Sequence, residues 1–290
     1  MTPLRVVFDT NAFDPSHFDL LAHGPLPKLF RAGRIAPIYG HVFVEETLRA
    51  YGNERKREDL VNRWLPFIVD TTDRICNDFI TIWHEELVQG RGPNTRILMP
   101  RSDYERLLAR LPEIPLDGSW RAWRQSKLDR DTEDGKRAEQ RKVSSSIRRE
   151  VADWRKAVRY DRNKHGISHL EEFFEREIDH AGREFLTVLV KCKNPKAVAD
   201  RWSRAKTQYP YFTTFVINML YIAHYAMIKV NSGIDLNAQA DLDLMTHLLR
   251  ADVLVSNETG FLRTAFDDLW RPRGKVIFTS QQFAEFISTL

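Results

Sequence analysis

The sequence predicts an α/β fold in which one parallel sheet is formed from both ends of the chain. Short apolar runs that are typical of buried strands occur near the start and again near the end. Helical patterns separate these runs, and strands joined through helices pair in parallel. The middle, from about residue 53 to residue 228, contains almost no strand-like stretch. The predicted strands are Leu4–Phe8, Ile35–Tyr39, Val253–Val255 and Val276–Phe278.

Each interval between the predicted strands carries a helical pattern. After the first strand the pattern is interrupted around Gly24 and Pro25, both of which disfavour a continuous helix. Gly52 is a stop signal for the helix that follows the second strand. Further predicted helices cover residues 41–51, 240–250 and 259–269, and a last helix begins at Ser280. This alternation predicts a doubly wound sheet with helices on both faces.

The middle of the chain is predicted to be a large all-helical insertion. We expect residues 1–70 and 211–290 to form the two parts of the sheet domain, and residues 71–210 to form the insertion. Residues 121–164 contain fifteen Lys or Arg and eight Asp or Glu. Such a run is either a solvated helix face or a surface for nucleic-acid phosphates. The candidate nucleic-acid contacts in it are Arg148, Arg149, Arg155 and Lys156.

Composition and charge exclude several classes of protein. With 42% hydrophobic residues in 290, the chain has the composition of an ordinary globular protein. Cys76 and Cys192 have no partners at disulfide-framework or zinc-ligand spacing, which favours the reducing cytoplasm. The longest apolar stretch, residues 211–230, contains Asn218 and His224 and therefore predicts a buried helix and no membrane partner. A net charge of +4 mildly favours a polyanionic partner.

Acidic residues stand where strands end and where helices begin. Because the carboxyl ends of parallel strands meet at one edge of a sheet, we expect these side chains to gather there. Hydrolysis of a phosphodiester requires a nucleophilic water and relief of charge, and Mg2+ or Mn2+ held by oxygen ligands supplies both. The pattern therefore predicts a divalent-metal site. The residues are Asp9 after the first strand, Glu45 and Glu46 after the second, Asp241 and Asp243 before the third, and Glu258 after it.

Two of these positions leave a choice between neighbouring acids. A helix that begins at Gly40 favours Glu46, whereas burial of Val42 and Phe43 as a pair would favour Glu45. Asp241 and Asp243 are two residues apart on a helix and do not share a face, so only one of them is expected at the site. The chain has no phosphate-binding Gly-rich loop and no nucleophile elbow, which excludes kinases, NTPases and serine hydrolases.

Two segments resemble the PIN-domain family of nucleases. In this family a hydrophobic strand ends in Asp-Thr-Asn, and a later strand ends in Thr or Ser, a polar residue and an acid. The sequence Val-Val-Phe-Asp-Thr-Asn at residues 6–11 is similar to the first element, and Ala-Asp-Val-Leu-Val-Ser-Asn-Glu at residues 251–258 to the second. The resemblance covers about the first seventy and the last sixty residues. The middle matches no part of the family's pattern.

The resemblance implies a PIN-like sheet and a role for each residue of the motifs. Asp9 would be the central metal ligand, with Glu46, Asp241 and Glu258 as further ligands, and Glu45 and Asp243 as alternates. Asp241 is preferred because its distance to Ser256 is the usual one in the family. The supporting residues would be Thr10, Asn11, Ser256 and Asn257. At position 258 the family most often has Asp, so Glu258 is a departure that changes the reach of this ligand.

The function implied is hydrolysis of phosphodiester bonds with Mg2+ or Mn2+ as cofactor. RNA is the favoured substrate because most members of the family act on RNA. Two alternatives remain open: a catalytically weak or inactive module that binds RNA or a protein, and a structure-specific DNA nuclease, whose related fold uses a larger acidic cluster. A homo-oligomer or a protein partner is left open as well.

Overall fold

A computed structural model describes residues 2–49, 60–72, 74–110, 149, 153, 170–228 and 238–290. Within these ranges the fold is mixed α/β, with one four-stranded, all-parallel sheet and many helices. The strands are β1 (Leu4–Phe8), β2 (Ile35–Ile38), β3 (Val253–Val255) and β4 (Val276–Phe278). The prediction of a parallel sheet built from both ends of the chain is therefore confirmed.

Strand β1 lies inside the sheet, whose order is β2-β1-β3-β4. Val6 pairs with Pro37 on one side and with Val253 on the other. Pro37 has no N–H group, which an edge strand such as β2 tolerates. The consecutive residues Val6, Val7 and Phe8 are fully buried, as expected for a strand that is covered on both faces. The chain leaves β1 toward one edge and later returns to its other side, so a topological switch point lies between β1 and β3.

Helices occupy every connection between the strands. The Gly-Pro interruption predicted between the first two strands separates two short helices, α1 and α2. The helices are α1 (Pro15–Ala22), α2 (Leu26–Arg31), α3 (His41–Arg49), α4 (Leu65–Thr71), α5 (Phe79–Trp83), α6 (Arg101–Arg110), α7 (Leu170–Leu189), α8 (Pro195–Arg204), α9 (Pro210–Ile228), α10 (Ala238–Thr246), α11 (Phe261–Leu269) and α12 (Ser280–Ser288). A short 3-10 helix, Thr10–Phe13, follows β1 directly.

An aromatic cluster below the carboxyl ends of the strands fixes the turn after β1. The ring of Phe8 lies 5.4 Å from that of Phe13 and 5.6 Å from that of Phe283. The ring of Tyr39, directly after β2, lies 4.8 Å from that of Phe43 of α3 in a tilted arrangement. All five rings are buried, and buried aromatic pairs stabilise through both area and geometry. The 3-10 helix, α3 and α12 are therefore held against the end of β1.

The described residues form two compact units. One contains the sheet and comprises residues 2–49, 60–72, 74–79, 96–110 and 242–290. The other is helical and comprises residues 80–95, 149, 153, 170–228 and 238–241. Compared with the predicted division, residues 71–72, 74–79 and 96–110 group with the sheet, and residues 211–228 and 238–241 group with the helical unit. Of the described middle, the only strand-like pairing is an isolated antiparallel bridge between Cys76 and Leu98.

The helical unit is organised around two buried features. Trp202 of α8 is fully buried and fills a space that Gly182 leaves open on α7, where an added Cβ would lie 2.0 Å from the indole ring. Glu86 is fully buried too, and its two carboxylate oxygens accept hydrogen bonds from the amides of Tyr211 and Phe212, both at 2.8 Å. A carboxylate from a distant segment therefore caps the N-terminus of α9.

Helix α9 corresponds to the long apolar stretch in the sequence. Its polar residues Asn218 and His224 are buried within the protein, as the sequence predicts for a core helix. Among the described residues, no helix combines the length and the apolar character that a membrane span requires.

Candidate active site

The carboxyl ends of β1 and β3 bring the two sequence motifs together. The amide of Asp9 donates to the carbonyl of Val255 at 2.9 Å, and the amide of Ser256 donates to the carbonyl of Phe278 at 3.0 Å. Both residues thus continue the hydrogen-bond ladder by one position beyond their strands. They stand at the topological switch point, where ligands of open α/β sheets bind.

Asp9 is the buried centre of this cluster, with only 7% of its surface exposed. Its Oδ2 accepts a hydrogen bond from the Ser256 hydroxyl at 2.6 Å. Burial raises the pKa of the Asp9 carboxyl above its ordinary value, and the negative charge of Glu258 adds to this rise, while the Ser256 hydroxyl and the nearby amides of Asn11 and Thr10 act in the opposite direction. Among the described residues, no Lys or Arg forms an ion pair with Asp9. No described Lys or Arg therefore compensates the charge of the buried carboxylate.

The hydroxyl of Thr10 connects Asp9 to α3. It lies 2.8 Å from Oε2 of Glu46 and 3.4 Å from Oδ1 of Asp9. A hydroxyl has a single proton, so the shorter distance indicates that Thr10 donates to Glu46. The structure thus brings Glu46, which is half-buried, to the same site as Asp9. The side chain of Glu45 lies outside what the structure describes.

Glu258 influences Asp9 through its charge, while its carboxylate forms a hydrogen bond within its own loop. Its amide donates to the Ser256 hydroxyl at 3.1 Å, and its Oε1 accepts a hydrogen bond from the amide of Gly260 at 3.0 Å. An added Cβ on Gly260 would lie 2.9 Å from that oxygen, so glycine leaves room for the turned-back carboxylate. Glu258 is exposed and acts on Asp9 electrostatically, because its charge raises the Asp9 pKa.

Two asparagines lock the two motif loops to each other. The amide of Asn257 donates to Oδ1 of Asn11 at 2.9 Å, and Nδ2 of Asn257 donates to the carbonyl of Asn11 at 3.1 Å. Oδ1 of Asn11 also lies 3.4 Å from the Ser256 hydroxyl. The four supporting residues named from the sequence thus all lie around Asp9. Their bonds fix the loops that carry the carboxylates.

Ser280 is a contributor that the sequence did not indicate. It is fully buried at the start of α12, where its amide donates to Oδ1 of Asn257 at 2.9 Å and its hydroxyl accepts from Nδ2 of Asn257 at 2.9 Å. The available signal was the capping box formed by Thr279 and Gln282, which marks a helix beginning directly after β4. A helix that begins there starts at the same edge of the sheet as Asp9.

The two aspartates of α10 differ in their surroundings. Asp241 lies in the first turn of the helix and belongs to the helical unit. Asp243 belongs to the sheet unit, is half-buried, and receives no hydrogen bond or ion pair from any described residue. Burial raises the pKa of Asp243 to about 7. Four residues after Asp243, the buried His247 lies directly against Gly40, two residues after the end of β2. A Cβ added to Gly40 would be 2.5 Å from Nε2 of His247.

The oxygen donors around Asp9 are chemically suited to a hard cation, but they do not form a closed ligand set. Carboxylates and hydroxyls are the groups that Mg2+ and Mn2+ prefer. Within the described ranges, no group of three or more His, Cys, Asp or Glu residues is arranged so that it could hold a metal ion. One oxygen of the Glu258 carboxylate, Oε1, is already bonded to the amide of Gly260.

The basic residues predicted to contact nucleic acid are mostly beyond the described ranges. Arg149 is helical and exposed. Arg148, Arg155 and Lys156 lie outside the described residues.

Comparisons with protein-family models, curated proteins and solved structures found no significant match to this chain.

Proposed function

We propose that this chain is a divalent-metal-dependent nuclease with a PIN-like, doubly wound core and a helical insertion, and that it hydrolyses phosphodiester bonds in RNA. The observation that carries the proposal is the buried Asp9 carboxylate at the switch point of the sheet, which Thr10 connects to Glu46 and whose pKa the charge of Glu258 raises. A cation bound beside Asp9 would stabilise the ionised form of this carboxyl and of neighbouring acids, because a nearby positive charge favours the charged state of each.

The residues of the chain would hold and orient this centre. Asp9, Glu46 and Glu258 would provide oxygen ligands for Mg2+ or Mn2+, with Asp241 or Asp243 as a further acid. When bound, the cation supplies an activated water and relieves charge at the phosphorus. Ser256 fixes the Asp9 carboxylate through its 2.6 Å hydrogen bond, and Thr10 holds Glu46 at 2.8 Å. These hydroxyls set the carboxylate positions before any ligand arrives.

One observation favours a second function. The carboxylate of Glu258 is bound to Gly260 rather than directed at Asp9 by any described contact. Without Glu258 as a ligand, the affinity for a cation would be too low for catalysis. The protein would then act as a PIN-like module that binds RNA or a partner protein. The two functions differ in whether metal-dependent cleavage is observed.

The deciding experiment is cleavage of a panel of RNA and DNA substrates by the purified protein. Wild type is compared with Asp9→Asn, and with Asp252→Asn as a matched control at the exposed, opposite end of β3. Each is assayed with Mn2+, with Mg2+ and with EDTA. We expect RNA cleavage that EDTA abolishes. We also expect Asp9→Asn to lower the cleavage rate by more than the roughly 10–100-fold that follows removal of a group that only orients a metal ligand.

Each other result points to a different function. Preferential cutting of branched or flapped DNA would favour the structure-specific DNA nuclease. Binding of RNA without cleavage would favour the binding module. Full activity in Asp9→Asn, with the control unchanged, would contradict the proposed site.

A further inference from the structure

Ser280 is a buried polar residue whose hydrogen bonds connect it to the candidate site. It begins α12, directly after β4, and its side chain is fully buried. Its hydroxyl makes two bonds at once: it accepts from Nδ2 of Asn257 at 2.9 Å and donates to the carbonyl of Ala12 at 3.2 Å. The residue therefore contacts both motif loops from a third element of the fold.

The bonds of Asn257 show how tightly this junction is defined. Its Oδ1 accepts from the amide of Ser280 at 2.9 Å, and its Nδ2 has two hydrogens, one donated to Asn11 at 3.1 Å and the other to the Ser280 hydroxyl. Both Nδ2 hydrogens and one acceptor position of Oδ1 are thus used. Such a part-buried network favours one arrangement of its members, whereas removal of one member leaves a polar group unpaired.

The network leads to Asp9 along two separate routes. Asn257 directly follows Ser256, whose hydroxyl binds the Asp9 carboxylate at 2.6 Å. Ala12 lies in the short 3-10 helix that begins directly after Asp9. A change at Ser280 would therefore affect the two loops together rather than either one alone.

We infer that Ser280 is a positioning residue for the proposed metal site: through Asn257 and Ala12 it fixes the loop of Ser256 and Glu258 relative to the loop of Asp9. This inference rests on the proposed nuclease function. It assigns no contact with substrate or metal to Ser280. Its role is to keep the carboxylates at the distances that cation binding needs.

The experiment compares wild type with Ser280→Ala, which removes both hydroxyl bonds, and Ser280→Thr, which keeps a hydroxyl. Ser288→Ala is the matched control, because Ser288 lies on the same helix, is exposed, and donates only to the nearby carbonyl of Glu285. Four quantities are measured on the full chain: Mn2+ affinity by electron paramagnetic resonance, kcat and KM for RNA cleavage, thermal midpoint, and hydrogen exchange in residues 9–13 and 255–258.

We expect Ser280→Ala to weaken Mn2+ affinity and to lower kcat by about tenfold each, at the lower end of what loss of an outer partner causes, with little change in KM. Exchange in both loop segments should accelerate together. Ser280→Thr should recover part of each loss, and Ser288→Ala should match wild type. A merely structural role would lower the thermal midpoint of Ser280→Ala and leave the metal affinity, kcat and both loop segments unchanged, which would overturn the inference.

The exchange measurement separates this inference from the proposed function. If wild type neither binds Mn2+ nor cleaves RNA, the nuclease proposal fails, and with it the assignment of Ser280 to a metal site. Faster exchange of both loops in Ser280→Ala would then still show that Ser280 couples them. If wild type cleaves RNA but exchange and metal affinity are unaffected by Ser280→Ala, the nuclease stands and the positioning role is refuted.

Discussion

Replacing Asp243 with Asn is expected to stabilise the folded protein in mildly alkaline solution. Asp243 lies half-buried on α10, and no described residue gives it a hydrogen bond or an ion pair. Burial raises the pKa of this carboxyl from its ordinary 3.8 to about 7. Above that pH the folded protein carries an ionised group in surroundings that disfavour it. Asparagine has nearly the same shape and no charge.

The size of the effect follows from the pKa of Asp243. One pKa unit corresponds to about 1.4 kcal/mol, so the difference between 3.8 and about 7 corresponds to roughly 4 kcal/mol. Relaxation around the charge and entry of water lower this figure, and we expect a gain in unfolding free energy of about 2–4 kcal/mol near pH 8.

The pH dependence of the gain has a definite sign. The folded-state pKa exceeds the unfolded one, so the folded state binds the proton more tightly, and this group favours folding increasingly as the pH falls from about 7 to about 4. The Asn variant lacks this contribution. The advantage of Asp243→Asn over wild type should therefore shrink through this window and nearly vanish at about pH 4.

Urea denaturation of both proteins at several pH values across this window measures the difference directly. Other titrating groups are common to both chains, so the difference isolates residue 243. Asp252→Asn serves as the control, since Asp252 is exposed and its replacement should change stability by less than about 0.5 kcal/mol. If Asp243→Asn is no more stable than wild type near pH 8, or if its gain is the same at every pH, the assignment of an unfavourable buried charge is wrong.

The same variant decides between the two aspartates of α10 as metal ligands. A cation that binds only the folded state stabilises it by mass action. Saturating Mn2+ should therefore stabilise wild type more than Asp243→Asn if Asp243 is a ligand, and more than Asp241→Asn if Asp241 is. Equal stabilisation of wild type and both variants would exclude both residues from the metal site.

Two further predictions concern the helical unit, and both are read from urea denaturation. Glu86→Ala should lower the unfolding free energy by about 3–5 kcal/mol, because it removes two charge-assisted hydrogen bonds to the amides of Tyr211 and Phe212. A decrease of less than about 1 kcal/mol would mean that water replaces the carboxylate. Gly182→Ala should lower the unfolding free energy by about 1–3 kcal/mol despite the better helix propensity of alanine, since the new Cβ would lie 2.0 Å from the Trp202 ring. A variant more stable than wild type would show that the ring moves to make room for the methyl group.

The central strands β1 and β3 could be predicted from the sequence because they are buried on both faces. Val6, Val7 and Phe8 form a continuous apolar run, which can be recognised without knowing which strands pair with it. The acid that ends this run could be predicted for the same reason, since Asp9 interrupts it. Gly24 and Pro25 likewise act locally, which is why the break between α1 and α2 was visible.

Other features depend on contacts between distant segments and leave little local trace. The spacing of Asp241 and Asp243 on a helix leaves them as alternatives, and only the packing of α10 leaves Asp243 half-buried with no hydrogen bond or ion pair from a described residue. Glu86 caps a helix through the amide of Tyr211, which lies 125 residues later in the chain. Ser280 satisfies a local capping pattern, while its bond to Asn257 arises from the order of the strands. The limits of the compact units depend on such contacts as well.

The pairing of β1 with β3 also governs when the site can exist during biosynthesis. Asp9 and Ser256 are separated by 247 positions in the chain. At typical synthesis rates of about 5–20 residues per second, roughly 12–50 s pass between the addition of the first and the second. A nascent chain therefore lacks β3, β4 and Glu258 during this interval. The proposed nuclease would be inert toward RNA throughout this period, including the message that encodes it.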